Sequence, residues 1–225
     1  MKILGIDASG LAASVAVIAE DTLLGEIITN NKHNHSQKLM PMVSELFLRL
    51  DMHIDDIDFI VCTNGPGSFT GLRIGAATAM SLAHGAGKKV IPVPTLDVLA
   101  YNLYGYSGIV VPMMDARRAQ VYTAFYEGGA ERLTDYMAVS LDEALELLLK
   151  YDRPTIFLGD GAVLHAGHLV SIAPPHLSLQ RASAAAALGQ KRINDAKTHD
   201  KFELFYLRKP QAEREYIERM VERNA

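Results

Sequence analysis

The chain has a single cysteine, Cys62, so no internal disulfide framework can hold it together. Cys62 ends the apolar run Phe59-Ile60-Val61-Cys62, where a thiol reads as an inert core group rather than a nucleophile; a reducing cytoplasm is the expected compartment. Basic charge is in no excess: 22 Lys and Arg against 26 Asp and Glu leave a formal net charge of −4. That balance exerts no overall pull toward nucleic acid or an anionic membrane, so any RNA contact is expected to be shared with a partner. No stretch approaches about 18 uninterrupted apolar residues. The N-terminus lacks the basic flank, apolar core and small-residue cleavage site of a signal peptide, so neither secretion nor membrane spanning is expected. No low-complexity linker interrupts the chain. What is present, 225 residues with 49% hydrophobic and 21% charged content, suits an ordinary soluble α/β protein able to bury a sizeable core.

Hydrophobic patterning predicts strands at 1–6, 14–18 and 23–28, an opening meander. Ser36 is a plausible N-cap for a helix in which Leu39, Val43, Leu46 and Leu50 recur at helical spacing, with Met42 and Phe47 widening the apolar side and Pro41 near the first turn. A strand at 59–63, a helix over 70–84 and a strand at 89–93 follow, giving the order βββαβαβ. Tyrosines and glycines between 101 and 108 mark a boundary. Beyond it the pattern partly repeats: an apolar strand at 109–115 again ending in an acid, a strand at 120–126, a helix at 141–149 and a strand at 155–158 entering Gly159-Asp160-Gly161. Later helices are expected at 182–191 and 214–223. The reading is a duplicated α/β unit with halves at 1–104 and 105–225, the last helix packing back on the first half.

Chemistry concentrates at Asn64-Gly65-Pro66-Gly67-Ser68-Phe69-Thr70-Gly71-Leu72-Arg73-Ile74-Gly75, a glycine turn between a strand and a helix. Such a turn can cradle an anion against the helix N-terminus, let another helix touch, or bind nothing. Asp7, at the end of the first strand, either positions a metal-bound phosphate or caps its own turn, and the capping role stands first. Asp7, Ser9, Gly65 and Gly67 are the nucleotide candidates. His33 and His35 read as loop or cap residues, since no third ligand is suitably spaced. His165 and His168 support no stronger role. In Asp115-Ala116-Arg117-Arg118 the guanidinium groups can order a loop or grip a phosphate, with a buried Asp–Arg pair the first expectation. The charges between 213 and 223 read as a solvated helix face.

Ile6-Asp7-Ala8-Ser9, His35-Ser36, the segment from Gly65 to Gly75, Met114-Asp115-Ala116-Arg117-Arg118 with Val121-Tyr122, and Tyr206-Leu207-Arg208-Lys209-Pro210 together closely resemble the TsaB (YeaZ) family, over nearly the whole chain. The resemblance implies an actin-like (ASKHA, ribonuclease H-like) fold of two related βββαβα-type subdomains. It also implies a non-catalytic subunit that binds TsaD, with TsaE, for threonylcarbamoyl transfer to the N6 of adenosine 37 of tRNAs reading ANN codons. The catalytic relatives carry two histidines four residues apart after the strand that follows the glycine-turn helix, a spacing that puts both imidazoles on one helix face for a metal. The aligned positions here are Thr95 and Leu99, with Asp97 between them as a surface or capping residue, so neither metal nor cofactor is expected.

The expected partner surface is the first two helices, at Leu39, Met42, Val43, Leu46, Leu50, Arg73, Ala76, Ala77 and Met80. Small residues on the second helix would allow close approach in a four-helix contact. TsaD would share the architecture, so the same surface would also serve a homodimer; tRNA is reached only through the complex. Two rival readings stay open. One is an enzyme, either an actin-like phosphotransferase using Asp7, the Gly65–Gly71 turn and Gly159-Asp160-Gly161, or a peptidase, for which no constellation is legible. The other is a self-associating scaffold.

Overall fold

A computed structural model of the chain describes residues 1–31, 34–193 and 202–208. The first strand, β1 (Lys2–Asp7), is buried along both faces, as an apolar run without alternation requires. It pairs antiparallel with β2 (Ala13–Ala19), which pairs antiparallel with β3 (Thr22–Thr29). On its other side β1 runs parallel to β4 (Phe59–Gly65), and β4 runs parallel to β5 (Lys89–Pro94), giving the sheet order β3-β2-β1-β4-β5. The parallel strands need crossovers, supplied by α1 (His35–Leu50) and α2 (Phe69–Ala86) on one face. The cap of α1 is Asn34, whose side chain accepts from Ser36 N at 3.3 Å, rather than Ser36 itself, and Pro41 falls in the second turn on the exposed side. Ser68 caps α2, its hydroxyl accepting from Gly71 N at 3.2 Å.

The second sheet repeats this order. β6 (Ile109–Asp115) pairs antiparallel with β7 (Gln120–Thr123) and β8 (Tyr126–Glu127). Met113 faces Thr123 and Ile109 faces Glu127, so β7 and β8 are one strand interrupted at Ala124-Phe125. Outside it, β9 (Glu131–Arg132) and β10 (Met137–Ser140) pair with β8 and β7. The crossover helix α4 (Leu141–Leu148), started by a Ser140–Glu143 capping box, leads to β11 (Thr155–Leu158), parallel to β6. A short helix α5 (Asp160–Leu164) follows, and a parallel bridge from Phe157 to Ile172 stands where β5 stands in the first sheet.

Two helices cross between the sheets. α3 (Thr95–Tyr101), at seven residues too short to show a helical period in the sequence, puts Val98 into the core of the first sheet but Leu96, Leu99 and Ala100 against Val110, Met114 and Leu158 of the second. α6 (Ala182–Arg192), which the sequence reading counted in the C-terminal half, packs Ala184, Ala185 and Ala186 on Ile3, Val61 and Ile91 of the first sheet. It sits close because Gly5 has no side chain; a Cβ there would overlap the Ala182 carbonyl. The expected helix at 214–223, with its packing on the first half, lies outside the described residues, as do His33, Lys209 and Pro210.

The apolar stripe of α1 is core. Leu39, Met42, Val43 and Leu46 are buried against Leu4, Ile6, Val15, Val17 and Ile60, and Leu50 packs half-buried on the same cluster. Ala76 of α2 is buried as well. The expectation that the five buried residues, Leu39, Met42, Val43, Leu46 and Ala76, face a partner is therefore corrected: an unaccompanied sheet face must be covered, and the chain's own helices cover it. Leu46→Ala should lower unfolding free energy by about 2–5 kcal/mol in urea denaturation. Val43→Glu, which buries an unpaired charge, should abolish the cooperative transition in circular dichroism.

Candidate functional site

At the glycine turn the places that Cβ atoms would fill are taken by the chain's own backbone. A Cβ on Gly67 would overlap the Ser9 carbonyl, one on Gly71 the Ala8 carbonyl, and one on Gly65, where φ is 120°, the carbonyl of Phe205. Ser68 N donates to Ser9 O at 2.7 Å, and Gly71 N is taken by Ser68 Oγ. Two of the N–H groups that would cradle an anion are thus bonded within the protein, and the glycines serve backbone approach to the β1 turn and to residues 202–208.

Asp7 is fully buried beneath that turn. Its carboxylate accepts from Ser9 N at 3.1 Å and from Ser9 Oγ at 3.1 and 2.9 Å. Burial pushes its carboxyl above the ordinary range, and hydrogen bonds from Thr63 and Ser9 offset part of that rise. An actin-like fold implies a metal-bound nucleotide at this point, but Asp7 does not fit the place of the metal's acid: it is enclosed, and both its carboxylate oxygens accept from Ser9. In the second half Asp115 is exposed, and its carboxylate accepts from Arg117 N at 2.7 Å, so the expected buried Asp–Arg pair is instead an exposed turn contact to backbone. Burial likewise raises the Asp160 carboxyl, opposed by hydrogen bonds from Asp115 N and Gly161 N. Gly159 and Gly161 are pressed against the backbone of Met113.

Between the halves lies a cleft of about 860 Å³, with Ser9, Ser68 and Phe69 on one wall and Asp115, Arg117 and Asp160 on the other. Of the nucleotide candidates, Ser9 and Gly67 line it, while Asp7 and Gly65 do not. Arg117, Arg118 and Ala119 are consecutively left-handed, with φ of 62°, 57° and 55°, a conformation costing about 1–2 kcal/mol per residue without compensation. Arg208 Nη1 donates to the carbonyl of Ala116 at 2.7 Å and that of Arg117 at 3.4 Å. His35 Nε2 lies 3.0 Å from the Gly10 carbonyl, so it tethers a loop. Among the described residues no three His, Cys, Asp or Glu side chains converge as a metal-ligand set.

Asp97 is neither a surface residue nor a cap. Its Oδ1 accepts from the hydroxyls of Tyr126 at 2.8 Å and Tyr136 at 2.7 Å, and its Oδ2 from Arg192 at 2.7 Å. Burial, then the Asp97 charge, pushes both phenols well above their usual range, so they remain donors. This cluster joins α3, β8 and α6, and no local spacing announced it. On the outer face of α1 and α2 the exposed side chains include Met40, Leu48, Arg73, Ala77 and Met80.

The family model described as TsaD, tRNA N6-adenosine threonylcarbamoyltransferase, matches residues 22–216. The tRNA threonylcarbamoyladenosine biosynthesis protein TsaB of Bacillus subtilis is 41% identical over 168 residues, 73% of this chain and 73% of its own. The chain belongs to this family, in its TsaB branch. The TsaB protein of Escherichia coli is 36% identical over 129 residues, 56% of this chain, so the match spans only 55% of that relative. YeaZ from Pseudomonas aeruginosa superposes with a TM-score of 0.78 at 23% identity, over 92% of this chain and 99% of that one; this likeness speaks for the fold alone, which is actin-like. In this TsaB-branch chain Thr95 and Leu99, which the resemblance sets against a histidine pair, are fully buried, and Thr95 Oγ1 has no hydrogen-bond partner among the described residues.

Asp7 yields a pH-dependent prediction. Because its folded pKa is raised, the unfolded chain loses this proton first, so stability falls as pH rises from the ordinary carboxylate pKa, about 3.9, toward the folded value. Asp7→Asn removes that loss. Urea denaturation of both proteins between about pH 4 and about pH 7 should show the stability difference moving in the variant's favour with rising pH.

Proposed function

We propose that this chain is the non-catalytic activating subunit for threonylcarbamoyl transfer to the N6 of adenosine 37 of tRNAs reading ANN codons, working in the cytoplasm beside TsaD and TsaE. What supports the reading is the contrast between a first-strand acid enclosed beneath its own turn and a helix pair whose outer face leaves Leu48 82% and Met80 49% exposed. TsaD docks on that face, with Ala77 letting a partner helix approach closely. A TsaD of the same architecture makes the pair pseudo-symmetric, and tRNA meets the complex rather than this subunit alone. Docking activates by favouring the competent state of TsaD, which requires tighter binding to that state. In the absence of TsaD the same face pairs two copies of this chain.

The test is modification of tRNA by TsaD, TsaE, ATP and a source of threonylcarbamoyl-adenylate, with and without this chain. Full dependence is the expected result; equal modification without it would sink the reading. Leu48→Glu and Met80→Glu should leave the thermal midpoint of the isolated chain near that of the parent. Both should weaken TsaD binding by about tenfold or more in calorimetry, as loss of an apolar anchor does. Unchanged affinity in both would remove α1 and α2 from the interface.

A further inference from the structure

Residues 202–208 touch both halves of the molecule. At one end Asn64 Nδ2 donates to Glu203 O at 3.0 Å, Phe205 N donates to Asn64 O at 2.7 Å, and Phe202 packs on the core beneath α1 and α2. Tyr206 lies against the Phe69 ring, with centroids 5.1 Å apart, and its hydroxyl is 3.5 Å from Arg73 Nε. Toward the second half, the Phe205 ring sits 5.5 Å from that of Tyr136, itself anchored by Asp97. Arg208 then reaches the carbonyls of Ala116 and Arg117, at the start of the left-handed turn that carries Arg117 into the cleft.

These contacts have a common geometry. One end is fixed to β4 and α2, the other to the loop after β6, and the cleft opens between those two anchors. Rotation of one half against the other would change the distance between the anchors, so the segment resists it. A guanidinium is suited to the far anchor because it spans two acceptors in one plane.

We propose that residues 202–208 form an interdomain strap, with Arg208 as its latch, which holds the left-handed Arg117 turn in place and sets the opening of the cleft. This holds whether or not α1 and α2 dock a partner. The strap also links two surfaces: Arg73, on the exposed side of α2, lies 3.7 Å over the Phe69 ring that Tyr206 packs against.

The experiment places nitroxide labels at Ser81→Cys on α2 and Glu146→Cys on α4, both exposed, in the full chain; buried Cys62 stays unlabelled. Pulsed dipolar spectroscopy then reads the distance between the halves. The parent should give one narrow distribution. Arg208→Ala should broaden it toward longer distances, and amide hydrogen exchange at residues 116–120 should quicken by about tenfold or more while the strands of both sheets exchange as before. Tyr206→Ala, which removes the strap's contacts with Phe69 and Arg73 but leaves those with Asn64, should broaden the distribution less and in the same direction. Parent-like distances in both variants would overturn the proposal. So would loss of the cooperative transition in both, since the segment would then be a piece of the core rather than a strap.

Discussion

The carbonyl oxygens of Ala8 and Ser9 occupy the places where side chains on Gly71 and Gly67 would begin, and the rest of the architecture depends on that contact. It brings the turn after β1 against the start of α2, where Ser9 accepts from Ser68 N and folds its hydroxyl back on Asp7. A phosphate-holding loop needs its N–H groups aimed outward and its first-strand carboxylate in reach of solvent. Here Ser68 N and Gly71 N are spent on neighbouring backbone and side chain, and the carboxylate is enclosed. An acid with a raised pKa is ordinarily a functional candidate when it faces a cleft, which Asp7 does not. For Asp7 the shift has the plainer cause of burial under its own turn.

Exchange of helices makes one molecule of the two halves. α3 leaves the first sheet to cover part of the second, and α6 returns to cover the first, so neither sheet has its full hydrophobic cover from its own half. Polar links follow the same crossings. Asp97 on α3 gathers Tyr126, Tyr136 and Arg192, while Glu26 on β3 accepts from Ser183 N and Arg181 at the start of α6. Nearly all the partners of these two carboxylates come from distant parts of the sequence, and partially buried charges of this kind are tolerable only when hydrogen-bonded on several sides.

The proposed role as an activating partner fits a chain whose first-strand acid is enclosed and whose first two helices keep apolar side chains outside. Thr95 and Leu99, which the family resemblance sets against a histidine pair, are packed inside, and the crevice is walled by Gly67 and Ser68 on one side and by Arg117, on its left-handed turn, on the other. Under the proposed role, function lies with what the surface offers. Met40, Leu48 and Met80 remain outside because the opposite faces of their helices are already committed to the sheet.

Local pattern sufficed for much of this. Most of the strand and helix order, the repeated strand ending in an acid at Asp7 and Asp115, and the family motifs are legible residue by residue, since periodicity depends on neighbours in the chain; short elements such as α3, α5, β9 and β10 carry too few residues to show a period. Tertiary structure alone decided the rest. An apolar stripe such as Leu39, Val43 and Leu46 has the same spacing whether it meets a sheet of its own chain or a partner's helix, and only the fold assigned it to the core. The glycines of the turn were equally silent about what approaches them, because the carbonyls of Ser9 and Phe205 come from far along the sequence. Asp97 and Arg208 acquired their roles the same way: their partners are brought together by the crossing of α3 and α6 and by the path of residues 202–208, which no local spacing encodes.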